Sequence, residues 1–141
     1  LGNGSNDTVD GGNGNDAMSG GGGNDLMTGG NGHDLMTGDA GDDTMSGGSQ
    51  CDTMLGGDGA DSILGEANDD QLDGGDGRDT LDGGAGNDLI FGQGGGDSLF
   101  VDDAAATDIY TLAADEGDPR QLAESFVAGR FLPALGQLQL F

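Results

Sequence analysis

An apolar residue returns at every ninth position, as Val9, Met18, Met27, Met36, Met45, Met54, Ile63, Leu72, Leu81, Ile90 and Leu99. All five methionines of the chain stand in this row. Period-two alternation around each predicts a three-residue strand whose central side chain faces inward and whose two neighbours face out. The six residues before each strand read Gly-Gly-x-Gly-x-Asp or close to it, a run of turn-formers in which Gly reaches positive φ. Each nonapeptide therefore predicts one turn and one short strand. Two of them complete a coil of 18 residues.

The aspartate closing each turn is as regular as the apolar row: Asp7, Asp16, Asp25, Asp34, Asp43, Asp52, Asp61, Asp70, Asp79, Asp88 and Asp97. Units such as GGNGNDAMS (11–19), GGNGHDLMT (29–37), GGDGADSIL (56–64) and GGAGNDLIF (83–91) share the pattern G-G-x-G-x-D-x-U-x, with U apolar. Eleven units follow one another without insertion. Coils stacked at a strand spacing of about 4.8 Å give two facing parallel sheets and a roll roughly 25 Å long. The expected fold class is all-β: a parallel β-roll, a right-handed solenoid, with a small C-terminal cap containing a short helix. Met is an adaptable filler for the thin core between the sheets.

Composition sharpens this picture. The chain has 141 residues, 33 of them Gly, with no Trp, one Tyr and a formal net charge of -24. Left to itself such a chain is an acidic, Gly-rich disordered tail, because Gly is costly to order and carboxylates repel one another on compaction. Against 27 acidic residues stand three Arg and no Lys, which opposes binding to nucleic acid or to an anionic membrane surface. No apolar run approaches the roughly 20 residues that span a bilayer. The single cysteine, Cys51, supports neither a disulfide framework nor a multi-Cys zinc centre. The natural partner is a cation.

Turns two units apart lie one above the other on the same edge of the roll, which brings their aspartates to within roughly 5 Å. At an effective dielectric near 20, each unneutralised pair repels by a few kcal/mol. A hard cation taking six to eight oxygens at about 2.3–2.6 Å fits between them, which describes Ca²⁺ better than Mg²⁺. The candidate ligands are the eleven aspartates and the carbonyls of the glycines that open the turns: Gly11, Gly20, Gly29, Gly38, Gly47, Gly56, Gly65, Gly74 and Gly83. Eleven turns make nine such pairs, hence at most nine ions, whose charge of +18 nearly balances the 20 acidic residues and one Arg of residues 1–100. Gln50 and Asn68 replace the fourth-position Gly in two turns of one edge, so the pair Asp52 with Asp70 is expected to be the weakest interior site. The opposite edge, through Asp25, Asp43, Asp61, Asp79 and Asp97, is intact at that position. The first unit, with Asn3 and Ser5 where Gly is expected, is worn, as terminal repeats of a stack are.

Over residues 2–100 the units resemble the RTX, or hemolysin-type, calcium-binding nonapeptide repeat family. The resemblance implies a calcium-dependent folding and secretion module of a larger extracellular bacterial protein. Its partners would be calcium ions, an upstream domain of the same chain and the type I secretion machinery. An alternative reading makes it the non-catalytic tail of a secreted enzyme such as a metalloprotease, lipase or epimerase. Without an initiating Met or a basic region followed by an apolar stretch, the sequence reads as a fragment.

Catalytic motifs are missing from the array, which is read as non-enzymatic. The residues eleven before Glu66, Glu116 and Glu124 are Leu55, Ala105 and Ala113, so there is no EF-hand. A single His excludes H-E-x-x-H, the lack of Lys excludes a P-loop, and the carboxylates recur as a lattice rather than as a catalytic pair. His33 and Cys51 occupy the fifth position of their turns and read as a solvated filler and an unpaired surface thiol. An ice-binding or adhesive face would need a uniform outward row. The last position of the unit mixes Asp10, Ser19, Thr28, Leu55, Asp73 and Phe91. Outward Leu26, Leu35, Leu55, Leu64, Leu89, Phe91 and Phe100 are expected in part to dock the C-terminal segment or an upstream domain.

The repeat stops at Phe100, dividing the chain into a roll over 1–100 and a cap or secretion segment over 101–141. Strand-like stretches lie around Val101 and at Ile109–Leu112, and Asp118, Pro119 and Gln121 predict a helix over 119–128.

Overall fold

The computed structural model describes residues 2–101, 109–112, 126–127 and 130–131. Ten strands come from the repeats: β1 Thr8–Asn13, β2 Ala17–Gly22, β3 Leu26–Asn31, β4 Leu35–Ala40, β5 Thr44–Ser49, β6 Thr53–Asp58, β7 Ser62–Ala67, β8 Gln71–Gly77, β9 Thr80–Asp82 and β10 Leu89–Gly95. An eleventh, β11 Ser98–Val101, closes the array, and β12 Ile109–Leu112, β13 Phe126–Val127 and β14 Arg130–Phe131 follow. No helix occurs among the described residues, and none there is long and apolar enough to cross a membrane.

The odd-numbered strands β1 to β13 run in order through one sheet, which β14 ends, and β2 to β12 form the other. Within the array every strand pairs in parallel with the strand 18 residues away: Val9↔Met27, Met27↔Met45, Met36↔Met54 and Met54↔Leu72. The apolar row is the core. Met27, Met36, Met54, Leu72, Leu81 and Ile90 are fully buried, while Val9 and Leu99, at the two ends, are only partly covered.

The strands β1 to β7 are each six residues long rather than the expected three. The ladder continues through the first three positions of the next unit, because the opening glycine is extended and faces inward. The second position then turns the backbone with positive φ without breaking the pairing, as at Gly30, φ 105° and paired with Gly12. Each strand thus sends two residues inward, an apolar side chain and a glycine two positions later, such as Met27 and Gly29. With a glycine in every second inward slot, the core is one side chain deep.

The strands foreseen near Val101 and at 109–112 are present. β12 extends the sheet of β10 through Leu89↔Ile109 and Phe91↔Thr111, and β13 pairs with β11 through Phe100↔Phe126 and Val101↔Val127. The helix foreseen over 119–128 lies outside the described residues except at Phe126–Val127. Those two residues are extended, because the open edge of β11 offers them ladder partners. Of the outward apolar side chains, Leu26, Leu35, Leu55, Leu64 and Phe100 are exposed, whereas Leu89 and Phe91, on the strand that β12 covers, are half-buried.

Candidate metal centres along the two edges

The aspartates form two ladders, one on each edge of the roll. Each carboxylate Oδ1 accepts the backbone N–H of the aspartate one coil earlier. Along one edge Asp7 donates to Asp25 (2.7 Å), Asp25 to Asp43 (2.8 Å), Asp43 to Asp61 (2.8 Å), Asp61 to Asp79 (2.9 Å) and Asp79 to Asp97 (3.0 Å). Along the other, Asp16 donates to Asp34, Asp34 to Asp52 and Asp52 to Asp70, each at 2.8 Å, and Asp70 to Asp88 at 2.9 Å. All eleven sequence-predicted aspartates are in these ladders.

Eight of them, Asp25, Asp34, Asp43, Asp52, Asp61, Asp70, Asp79 and Asp88, are 1–3 % exposed. The second oxygen, Oδ2, is buried without a hydrogen-bond partner in Asp16, Asp25, Asp34, Asp43, Asp52, Asp61, Asp70, Asp79 and Asp97. Asp7 differs, since Asn3 N–H donates to its Oδ2 at 3.0 Å, so the worn first turn satisfies its own carboxylate. A buried carboxylate oxygen left unpaired costs several kcal/mol unless a proton or a cation neutralises it.

The opening glycines meet these oxygens. A Cβ at Gly29 would lie 2.5 Å from Asp34 Oδ2 and 2.6 Å from the Gly47 carbonyl oxygen, and one at Gly65 would lie 2.6 Å from Asp70 Oδ2 and 2.5 Å from the Gly83 carbonyl oxygen. Carboxylate and carbonyl oxygens therefore converge over each glycine Cα, and any side chain there would fill the space. The carbonyls of Gly20, Gly29, Gly38, Gly47, Gly56, Gly65, Gly74 and Gly83 all occupy this position, and a Cβ at Gly11 would meet Asp16 Oδ2 at 3.0 Å and the Gly29 carbonyl oxygen at 2.7 Å. Among the described residues no three His, Cys, Asp or Glu side chains gather at one point. A cation here has to draw on main-chain carbonyls as well as aspartates, an all-oxygen donor set that fits calcium and not a soft metal.

Electrostatics reports the same demand. Burial raises the pKa of Asp43, Asp52, Asp61, Asp70, Asp79 and Asp97. The ladder N–H partly offsets burial, and for most of them like-charged neighbours add to it. Asp61 is pushed up to about 6 and Asp70 to about 7. These folded-state values lie above the ordinary 3.8, so the calcium-free roll binds more protons than the unfolded chain between about pH 4 and 7. Its stability is fully present below the unfolded value and is lost as pH rises through the folded values. We expect calcium-free protein to gain β structure as pH falls from 7.5 to 4.5, and the calcium midpoint to rise over the same range as protons compete. Circular dichroism at fixed pH reads both, and a calcium-free signal that does not change on acidification would refute the assignment.

Gln50 and Asn68 take φ of 79° and 81°, in the left-handed region of the glycines they replace. The ladder passes between Asp52 and Asp70 unbroken at 2.8 Å. The cost falls on the backbone of Gln50, which has no short polar side chain to bond its own turn. Gln50→Gly is expected to stabilise the calcium-loaded roll by up to about 1 kcal/mol. Thermal unfolding at fixed calcium measures this, and a lower midpoint would contradict it.

Two further arrangements escaped the sequence reading. A second, outer ladder runs in the opposite sense through the fifth position of the turns. Asn6 Oδ1 accepts from Asn24 N–H, Asn24 from Asp42, Asp42 from Ala60, Asn15 from His33 and Asp69 from Asn87. The recurrence of Asn or Asp at that position in six of the eleven units was its available signal. His33 is exposed as expected, yet it is not a mere filler: its Nδ1 lies 2.9 Å from the Cys51 carbonyl oxygen, so Nδ1–H donates there. Cys51 is exposed. In addition, Asp39, Glu66 and Gln93 occupy the positive-φ second position without being Gly. Each is tied to a side chain twenty residues earlier, Ser19 (2.7 Å), Ser46 (2.6 Å) and Asp73 (3.2 Å) respectively.

Two parallel sheets wound from 18-residue coils, with a ladder of buried carboxylates along each edge, define a parallel β-roll. The family model of the RTX calcium-binding nonapeptide repeat matches four times, at residues 1–27, 19–54, 52–81 and 64–99, and the chain belongs to that family. Membership implies calcium binding in a repeat module. No curated protein and no solved structure matches the chain.

Proposed function

We propose that the array binds several calcium ions between stacked turns and folds on binding them. The buried Oδ2 atoms carry this reading. They are the oxygens the fold takes out of water and leaves without a protein donor. The proposed ligands are the ladder aspartates, Asp7 to Asp97, with the carbonyls of the opening glycines, Gly11 to Gly83, and at most nine ions in the array. Calcium supplies the positive charge that lets the carboxylates stack. The chain itself supplies the spacing, through N–H to Oδ1 bonds one coil apart, and the room, through glycines that carry no side chain. Because the unfolded chain holds no such arrangement, binding free energy becomes folding free energy.

The wider role follows from the same coupling. At low calcium the acidic chain stays extended and can be threaded through a type I secretion channel, and outside the cell calcium folds it. The module then belongs to a larger secreted bacterial protein whose activity resides in an upstream domain, and the array itself is assigned no catalysis. Extracellular modules work with affinities of about 10⁻⁴ to 10⁻³ M.

Far-UV circular dichroism during a calcium titration, reversed with a chelator and repeated with magnesium, tests the proposal. A cooperative, reversible, calcium-selective gain of β structure is expected. A chain folded without calcium at neutral pH, or one that stays disordered in millimolar calcium, would replace this reading with a metal-free solenoid or a disordered tail.

A further inference from the structure

The side-chain ladder of the outer layer is missing on both edges at one coil interface, where residues 50–67 face residues 68–85. On one edge Ala60 has no acceptor to offer the N–H of Arg78, and on the other Cys51 offers Asp69 only a weak sulfur acceptor. In the earlier coils Asn6, Asn15, Asn24 and Asp42 are acceptors at this position, and His33, which replaces one of them, donates instead to the Cys51 carbonyl. The main-chain rung from the fourth-position N–H to the third-position carbonyl one coil on persists here, Gly59 donating to Asp76 at 2.8 Å, whereas the rung from Gln50 to Ala67, within residues 50–67, is not formed. Between β6 and β8, Asp58 stands directly opposite Asp76, the one like-charge pair among the register pairs of the described residues. Like charges so placed destabilise a sheet. The β7–β9 ladder holds three register pairs and the separate Ala67↔Ala85 bridge where β5–β7 holds five.

What still crosses this interface is the inner layer, with the Gly59–Asp76 rung and the Ala85 N–H bond to the Glu66 carbonyl beside it. Gln71 N–H donates to the Asp52 carbonyl (2.9 Å) and Thr80 N–H to the Asp61 carbonyl (2.8 Å), and the aspartate ladder passes through on both edges. From this we infer that the roll is made of two cooperative units, residues 2–67 and residues 68–101, joined at a seam that opens before either unit unfolds. The outer side-chain acceptors, the strand pairing and the cross-strand charge are all less favourable at this interface than in the earlier coils, and stability in a stacked repeat is a sum over nearest-neighbour interfaces. A half-folded roll is then a populated state when calcium is limiting. The inference rests on the calcium reading only in that the loaded protein is the one measured.

Hydrogen exchange read by mass spectrometry on the full chain, in calcium-saturated buffer and again as calcium is lowered, tests it. Peptides from 2–67 and those from 68–101 are expected to lose protection in two separate steps, with opening equilibria differing by about tenfold. The variant Cys51→Asn with Ala60→Asn installs the two missing acceptors for Asp69 and Arg78, and is expected to bring the steps within about threefold of each other. Asp76→Asn, which removes the like-charge pair and touches no ladder aspartate, should narrow the gap independently. A single step in the unaltered protein, or a gap that neither variant narrows, overturns the seam. If protection proves the same with and without calcium, the calcium reading fails while the number of steps still decides the seam.

Discussion

Gly56→Ala is expected to prevent the roll from folding at calcium concentrations that fold the unaltered chain. The added Cβ would land on the Asp61 carboxylate and on the Gly74 carbonyl, one a candidate ligand of its own unit and the other a candidate ligand one coil on. Neither can give way, because Asp61 is fixed by the N–H of Asp43 and Gly74 is buried within β8. Overpacking of this kind costs about 3 kcal/mol, and here it also displaces the oxygens that a cation needs. The calcium midpoint should rise at least about tenfold, roughly what 1.4 kcal/mol of that cost produces. Gly4→Ala is the matching control, since a Cβ there meets nothing within 4 Å. Equal calcium midpoints for Gly56→Ala and the unaltered chain would show that the interior glycines are not part of the sites.

Asp61→Asn should move the protein in opposite directions with and without calcium. The amide keeps an oxygen to accept the Asp43 N–H, so the ladder bond at 2.8 Å can persist. The lost charge belongs to two candidate centres, shared with Asp43 on one side and Asp79 on the other, so saturation should require two fewer ions. In calcium-free buffer at pH 7.5 the same change removes a buried carboxylate whose pKa is raised by burial and by its neighbours Asp79 and Asp43. The variant should therefore show more β structure than the unaltered chain there, and less in limiting calcium. Asp61→Ala removes the acceptor as well and should show only the loss. Equilibrium dialysis for stoichiometry and circular dichroism for folding separate these cases. An Asn variant that binds the full complement of calcium would detach Asp61 from the sites.

The coupling of charge to fold explains why an extremely acidic chain can adopt so compact a form. Among the described residues the interior contains about as many aspartates as apolar side chains, eight of the former and nine of the latter. A core one side chain deep leaves the edges to be held by the ladders, and the ladders are held apart by their own charge. Neutralisation is then a condition of folding rather than an addition to it. This is also why the seam matters: at the 50–67 and 68–85 interface the aspartate ladder carries the contact with the least outer support.

The sequence by itself determined the two rows that matter most. A nonapeptide with an apolar eighth position and an aspartate at the sixth places Met27 in the core and Asp25 at the edge, because side-chain alternation is local and does not depend on what lies above or below. The 18-residue coil, the two parallel sheets and the division of the aspartates between two edges follow from repeating that unit. The strand-like character of residues 109–112 was equally legible.

Only the tertiary structure decided how neighbouring coils sit against one another. That stagger gives one carboxylate oxygen a backbone N–H and leaves the other facing an interior glycine. It sets Asn24 beneath Asp42 in the outer ladder, and it brings Ser46 to Glu66 across twenty residues rather than eighteen. Strand length depended on it too, since a Gly-Gly pair reads locally as a turn and becomes ladder only when an identical pair lies one coil away to share its hydrogen bonds. The extended pairing of Phe126–Val127 has the same origin: the free edge of β11 supplied partners that no local pattern in residues 119–128 announces.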